Sequence, residues 1–189
     1  ASVVYMRQPF VPGISDGVIV LEGAGEKSFV SGADISEFKS ERANVDLIKE
    51  YGVSVNRAYS SVQHSLKPTI AKISGYCYGG GMGIAVCADL RICSETSSFC
   101  IPAAKLGVGY GHENTKVLMD IVGPAFTKEI FYTGRRFSAD EAKIMRLVNS
   151  THPQAGGGGN IFGPGGAKNG ARGKDRAGGG LFGMKTREI

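Results

Sequence analysis

Short apolar runs alternate along this chain with stretches in which apolar residues return every third or fourth position, the pattern of strands interleaved with helices. Val18-Ile19-Val20-Leu21-Glu22 is strand-like and stops at Gly23-Ala24-Gly25, and Thr69-Ile70-Ala71-Lys72-Ile73 is a second run of the same kind. Asp89 to Cys93 and Phe99 to Ile101 are two more. Val45, Ile48, Val53, Val55, Tyr59 and Val62 predict one face of a long helix, capped by Asn44 and running to about Leu66, where Lys67-Pro68 stops it. A further helix is predicted from about Glu113 to Val122, ended by Gly123-Pro124, and Ser138 with Glu141 three residues on has the spacing of a capping box. Strands alternating with helices predict an α/β fold.

Two glycine-centred turns interrupt this pattern, Ser31-Gly32-Ala33-Asp34-Ile35 and Gly75-Tyr76-Cys77-Tyr78-Gly79-Gly80-Gly81-Met82-Gly83. Each follows a strand-like run and leads into a helix-like one, Ile35-Ser36-Glu37-Phe38 in the first case and Ile84-Ala85-Val86-Cys87 in the second. A helix start carries N–H donors without intrahelical partners and the positive end of a dipole, and glycine admits a ligand where a Cβ would block it. Two such starts meeting at one point would hold a carbonyl oxygen as negative charge builds on it. Either turn alone is more often just a tight turn beside close packing of helix on strand.

Taken in order, these segments resemble the crotonase, or enoyl-CoA hydratase/isomerase, superfamily over about residues 17–149. Beyond the two turns, the resemblance rests on Lys67-Pro68-Thr69-Ile70-Ala71, Ala88-Asp89-Leu90-Arg91-Ile92, Phe99-Cys100-Ile101-Pro102-Ala103-Ala104-Lys105-Leu106-Gly107 and the block from Phe131-Tyr132-Thr133-Gly134 to Ala142. It implies a crotonase-like spiral of repeated β-β-α units, incomplete at the N-terminus and atypical at the C-terminus, and usually assembled as a trimer or a dimer of trimers. It implies acyl-CoA thioester substrates, with coenzyme A as part of the substrate and no separate cofactor. The family's two oxyanion donors fall on the backbone N–H groups of Ala33 and Gly80, with Gly32, Asp34, Ile35, Gly79, Gly81 and Ala103 as substrate-binding positions.

The same resemblance makes simple hydration an unexpected reaction for a lyase of this kind. Family hydratases place two glutamates, one at the second position after Gly81 and one after Pro102, and this chain carries Gly83 and Ala103 there. Losing a well-placed acid or base costs on the order of 10² to 10⁴ in rate. Malonyl-type acyl-CoA decarboxylases of the superfamily also lack the pair and carry a tyrosine where Leu106-Gly107-Val108-Gly109-Tyr110 places Tyr110. Tyr110 reads equally as a catalytic phenol and as an aromatic filling the acyl pocket. Glu113, beside His112, reads as a displaced acid or base or as the polar first turn of a helix, and Asp34 as a substrate contact or a helix cap. A non-catalytic CoA-binding or assembly protein remains the alternative to an enzyme.

Composition narrows the classes further. The chain has 189 residues, 42% of them apolar, enough for one core. Cys77, Cys87, Cys93 and Cys100 sit in apolar stretches without C-x-x-C spacing, which predicts buried free thiols rather than disulfides or a metal site. The net charge of +5 belongs mainly to residues 151–189, a glycine-rich basic segment expected to be a flexible or atypical tail. It lacks repeated R-G-G units and interleaved aromatics, so nucleic acid is not an expected partner. Residues 1–16, broken by Pro9, Pro12 and Gly13, are expected to be irregular, leaving residues 17–150 as the core. No apolar run reaches bilayer length and no basic-then-apolar leader opens the sequence, so the expectation is a cytoplasmic protein with no membrane association.

Overall fold

The computed structural model of the chain describes residues 4–7, 17–25, 27–32, 45–153 and 185–186. In chain order its elements are β1 (Val4–Arg7), β2 (Ile19–Gly23), β3 (Ser28–Val30), α1 (Val45–Gln63), β4 (Thr69–Ile73), β5 (Tyr76–Tyr78) and α2 (Gly80–Cys87). They are followed by β6 (Leu90–Ser94), β7 (Ser98–Cys100), α3 (Ala103–Leu106), α4 (His112–Thr133), β8 (Phe137–Ser138), α5 (Ala139–Ile144), β9 (Ser150–His152) and β10 (Lys185–Thr186).

Strands come in consecutive pairs whose members part company. The first of each pair, β2, β4 and β6, joins a six-stranded sheet of order β10-β1-β2-β4-β6-β9, and the second, β3, β5 and β7, joins a four-stranded sheet of order β3-β5-β7-β8. A helix follows each pair, so the described chain advances in β-β-α turns and stacks equivalent strands in parallel. Ile19 pairs with Thr69, Ile70 with Leu90 and Ile92 with Ser150 in one sheet, and Tyr76 pairs with Ser98 in the other. This is the spiral α/β architecture the sequence implies.

The core lies between the two sheets and the helices that close each turn. Leu21, Ala71 and Ile73 on the first sheet and Phe29, Phe99 and Phe137 on the second are almost wholly buried, and all four cysteines are free and buried. Arg91 is also buried, in register with Ala71, and satisfies its charge locally: Nε donates to the Leu147 carbonyl at 2.8 Å and Nη1 to the Ala88 carbonyl at 2.7 Å.

Several elements differ from the sequence reading. Tyr76-Cys77-Tyr78, read as part of a turn, forms β5 with Cys77 turned wholly inward, a strand too short to show a period. Val4–Arg7, inside the segment expected to be irregular, pairs antiparallel with β2, and Lys185–Thr186 of the basic tail pairs parallel with β1. On α1, Tyr59 and Val62 are buried, but Val53 is 68% exposed; it sits two residues, or about 200°, from Val55 around the helix. That helix ends at Gln63, before Leu66. Gly123, at φ 78°, does interrupt α4, yet Pro124 restarts it and helical chain continues to Thr133. Asn44 and the helix expected to begin at Ile35 lie outside the described residues.

Candidate active site

Of the five glycines in the second turn, Gly79, Gly81 and Gly83 are each required for a different local reason. Gly79 caps α2 at φ 53°, a left-handed conformation that L side chains rarely adopt, and its N–H donates to the Cys100 carbonyl at 2.8 Å, fastening the turn to β7. Gly80 opens the helix. A Cβ on Gly81 would lie 2.4 Å from the Val30 carbonyl oxygen, so α2 can approach β3 only without one. A Cβ on Gly83 would lie 2.2 Å from the Tyr59 hydroxyl oxygen and 2.4 Å from Cζ of the same ring.

From Gly80 onward α2 is buried on nearly all sides, with Met82, Ile84, Ala85, Val86 and Cys87 in the core. The first hydrogen bond of its ladder runs from the Gly83 N–H to the Gly79 carbonyl, which leaves the N–H groups of Gly80, Gly81 and Met82 without intrahelical acceptors. The two glycine turns meet here. A Cβ on Gly79 would be 3.8 Å from the Gly32 Cα, and one on Gly32, itself at φ 106°, 3.5 Å from the Tyr78 carbonyl oxygen. Ala33, Asp34 and Ile35 continue the first turn and lie outside the described residues.

Beside this junction is a small pocket, about 280 Å³ when the open solvent at its mouth is counted. Its walls are Tyr59, Met82, Gly83, Val86, Ile101, Tyr110, Asn114, Leu118 and Phe131. Tyr110 is held edge-on to Phe131, with ring centroids 5.1 Å apart, and its hydroxyl is 3.6 Å from where a Gly79 Cβ would be. Asn114 donates from Nδ2 to Asn56 Oδ1 at 3.2 Å, tying the start of α4 to α1. Among the described residues, the lining holds two phenols and one amide as its polar groups, and no carboxylate.

Burial keeps both phenols protonated. It pushes the Tyr110 hydroxyl up to about 12, with Tyr51 and Cys100 adding smaller effects, and it raises Tyr59 further, with Tyr110 the next contributor. At neutral pH each can donate a hydrogen bond or return a proton. Neither can act as a strong base.

The other residues singled out from sequence divide between this junction and elsewhere. Gly32, Gly79, Gly80 and Gly81 come together at it, and Tyr110 reaches it. Ala103 is buried at the start of α3, where its carbonyl accepts from the Val108 N–H at 3.1 Å, and it does not line the pocket. Glu113 and His112 are exposed on the first turn of α4, also outside the pocket lining. Tyr59 and Asn114 were not singled out as site residues. A glycine at position 83 within an otherwise apolar helix was the available signal, since it marks a close approach by some other element.

Two mostly parallel sheets wound in β-β-α turns, with a glycine-capped helix start opening beside an apolar pocket, define a spiral α/β protein with backbone donors at a cleft. The chain belongs to the enoyl-CoA hydratase/isomerase family, whose sequence profile matches residues 14–156. It is 39% identical over 131 residues to the short-chain-enoyl-CoA hydratase of Clostridium acetobutylicum, covering 69% of this chain and 49% of that protein. It is 35% identical to the crotonyl-CoA hydratase of Syntrophomonas wolfei, covering 70% and 50%. Among solved structures, an enoyl-CoA hydratase/carnithine racemase from Magnetospirillum magneticum superposes with a TM-score of 0.70 at 38% identity, covering 72% of this chain and 51% of that one. The chain thus spans about half the length of these relatives. Among the described residues, no helix is long and apolar enough to cross a membrane.

Proposed function

We propose that the chain binds an acyl-CoA thioester and stabilises the enolate formed from it, using the backbone N–H groups of Gly80 and Ala33 as oxyanion donors. Coenzyme A enters as part of the substrate, and the chemistry requires no separate cofactor. The observation that carries this reading is the start of α2. Its N–H groups without intrahelical acceptors lie where the two glycine turns abut, next to an apolar pocket. Such donors, fixed before the reaction, are worth more against a developing oxyanion than against the ground-state carbonyl. Relatives named as hydratases support the thioester as the substrate class. The resemblance further suggests a homotrimer or a dimer of trimers as the working assembly.

Gly80→Pro tests the donor assignment. Proline suits the first position of a helix, so the variant removes one N–H with little cost to folding. Turnover of a CoA thioester should fall by roughly 10² to 10³, as followed by loss of the thioester in a chromatographic assay. Unchanged turnover in a folded variant rules Gly80 out as a donor.

A second reading within the same chemistry is decarboxylation of a malonyl-type acyl-CoA. Gly83 and Ala103 at the two glutamate positions, and a lining that holds no carboxylate among the described residues, favour it, because expelling CO₂ leaves an enolate without any base removing a proton. The Tyr110 phenol would then orient the departing carboxylate or return the proton. Incubation with methylmalonyl-CoA and with crotonyl-CoA separates the two: propionyl-CoA from the former and no hydrated product from the latter is the expected result. Turnover of neither, with CoA binding retained, would favour a non-catalytic CoA-binding role.

A further inference from the structure

We propose that Tyr59, seated on the bare backbone of Gly83, is the specificity-determining residue that closes the acyl pocket and restricts it to short acyl groups. The inference rests on the acyl-CoA reading above and adds to it the size of the acyl group and the residue that sets it.

The argument begins with α1. Its register of buried positions, Tyr59 and Val62 with Val55 partly covered, turns Tyr59 inward, and the ring is 5% exposed. The phenol lies across Gly83 so closely that a Cβ there would be 2.2 Å from the hydroxyl oxygen, 2.4 Å from Cζ and 2.9 Å from Cε2. Real Cβ atoms essentially never make such contacts, so the ring fills the volume that any side chain at 83 would need. The hydroxyl donates to the Gly80 carbonyl at 3.3 Å, which holds the ring against the first turn of α2.

With the ring in that place, the pocket has a wall where the neighbouring helix would otherwise leave a gap. Tyr110 and Phe131 wall off another side, packed edge to face, and buried Ile101 and Leu118 also line it. The space left comes to about 280 Å³ only when the open solvent at its mouth is counted, so little enclosed room remains behind the ring. Walls set this close leave room for a short acyl end at most. A longer chain has to displace a ring anchored by its own hydrogen bond.

Calorimetric titration of the full chain with CoA, butyryl-CoA and octanoyl-CoA tests this, repeated on Tyr59→Phe, Tyr59→Leu and Tyr59→Ala. The native chain should prefer butyryl-CoA to octanoyl-CoA by about tenfold or more, the scale of discrimination given by methylenes that do not fit. Tyr59→Ala and Tyr59→Leu should cut that preference to about threefold or reverse it, while binding of CoA itself stays within about twofold. Tyr59→Phe, which keeps the ring, should keep the ranking. Leucine retains most of the core volume, so one open-pocket variant is expected to fold even where alanine does not. An unchanged preference in a folded Tyr59→Leu chain, or a native chain indifferent to acyl length, overturns the inference and leaves the acyl-CoA reading standing. Failure of the folded native chain to bind any of the three ligands overturns that reading, and this inference with it.

Discussion

At Asp89 a single carboxylate oxygen does the work of a clasp. Oδ2 accepts from the Thr69 N–H at 2.7 Å and from its hydroxyl at 2.8 Å, and the Thr69 hydroxyl oxygen in turn accepts from the Asp89 N–H at 2.9 Å. The start of β4 is thereby locked to the residue that precedes β6. Thr69 is 1% exposed, so Asp89→Ala would leave a buried N–H and hydroxyl without their acceptor, at a cost of about 1–3 kcal/mol. Urea denaturation should show this as a lowered midpoint at unchanged slope, with Asp89→Asn losing less; a midpoint equal to the native one would mean the pair is not formed. The pattern of residue types showed where such positions are and not what they touch. The run Gly79 to Gly83 announced a helix start with bare backbone, and that much was legible. That Gly83 is bare because Tyr59 lies over it was not, since the two are brought together only by the packing of α1 on α2. Likewise Tyr110 was visible as a candidate through its neighbours in sequence, whereas Asn114 reaches the same pocket only through the path of α4.

At the scale of elements, what could be read was whatever is specified locally. Ser138 and Glu141 form the expected capping box at the start of α5: the Glu141 N–H donates to Ser138 Oγ at 3.2 Å, and the Ser138 N–H donates to Glu141 Oε2 at 2.8 Å. Glu141 Oε1 also accepts from Arg135 Nη1 at 2.7 Å, which links the cap to the preceding turn. Ser138→Ala should destabilise the chain by about 1 kcal/mol. Thermal unfolding followed by circular dichroism checks it; a shift no larger than that of an exposed control such as Ser60→Ala would show that the box contributes nothing. Strand β5 and the continuation of α4 past Gly123 were missed for the opposite reason. Three residues cannot display an alternation, and a proline after a glycine looks like an ending until the structure shows it serving as the first position of a new helical stretch. Val53 was placed on the wrong face because an apolar residue was counted without its angle.

For the whole molecule, the four thiols report how tightly the turns of the spiral are closed on one another. Cys77 lies on β5, Cys87 on α2, Cys93 on β6 and Cys100 on β7, so four successive elements each commit one to the core. Burial pushes Cys87 up from 9.0 to about 11, with Arg91 opposing it, and Cys93 from 9.0 to about 12, with Asp140 adding and Lys143 opposing. Tyr110 is raised in the same direction, from 10.0 to about 12. Each group therefore keeps its proton in the folded chain at a pH where the unfolded chain has lost it. Below about pH 9 both states are protonated and the full stability is present, and from there to about pH 12 the unfolded state gains by ionising, so stability falls by up to about 1.4 kcal/mol per pH unit for each group. Urea midpoints measured between pH 8 and pH 11 should decline steeply over the upper part of that range. Replacing Cys87 and Cys93 together by alanine lowers the stability at pH 8 by opening small cavities but should flatten the decline above pH 9. A native midpoint that stays level to pH 11 would mean that water reaches these thiols, and that the sheets and helices of the spiral do not close around them.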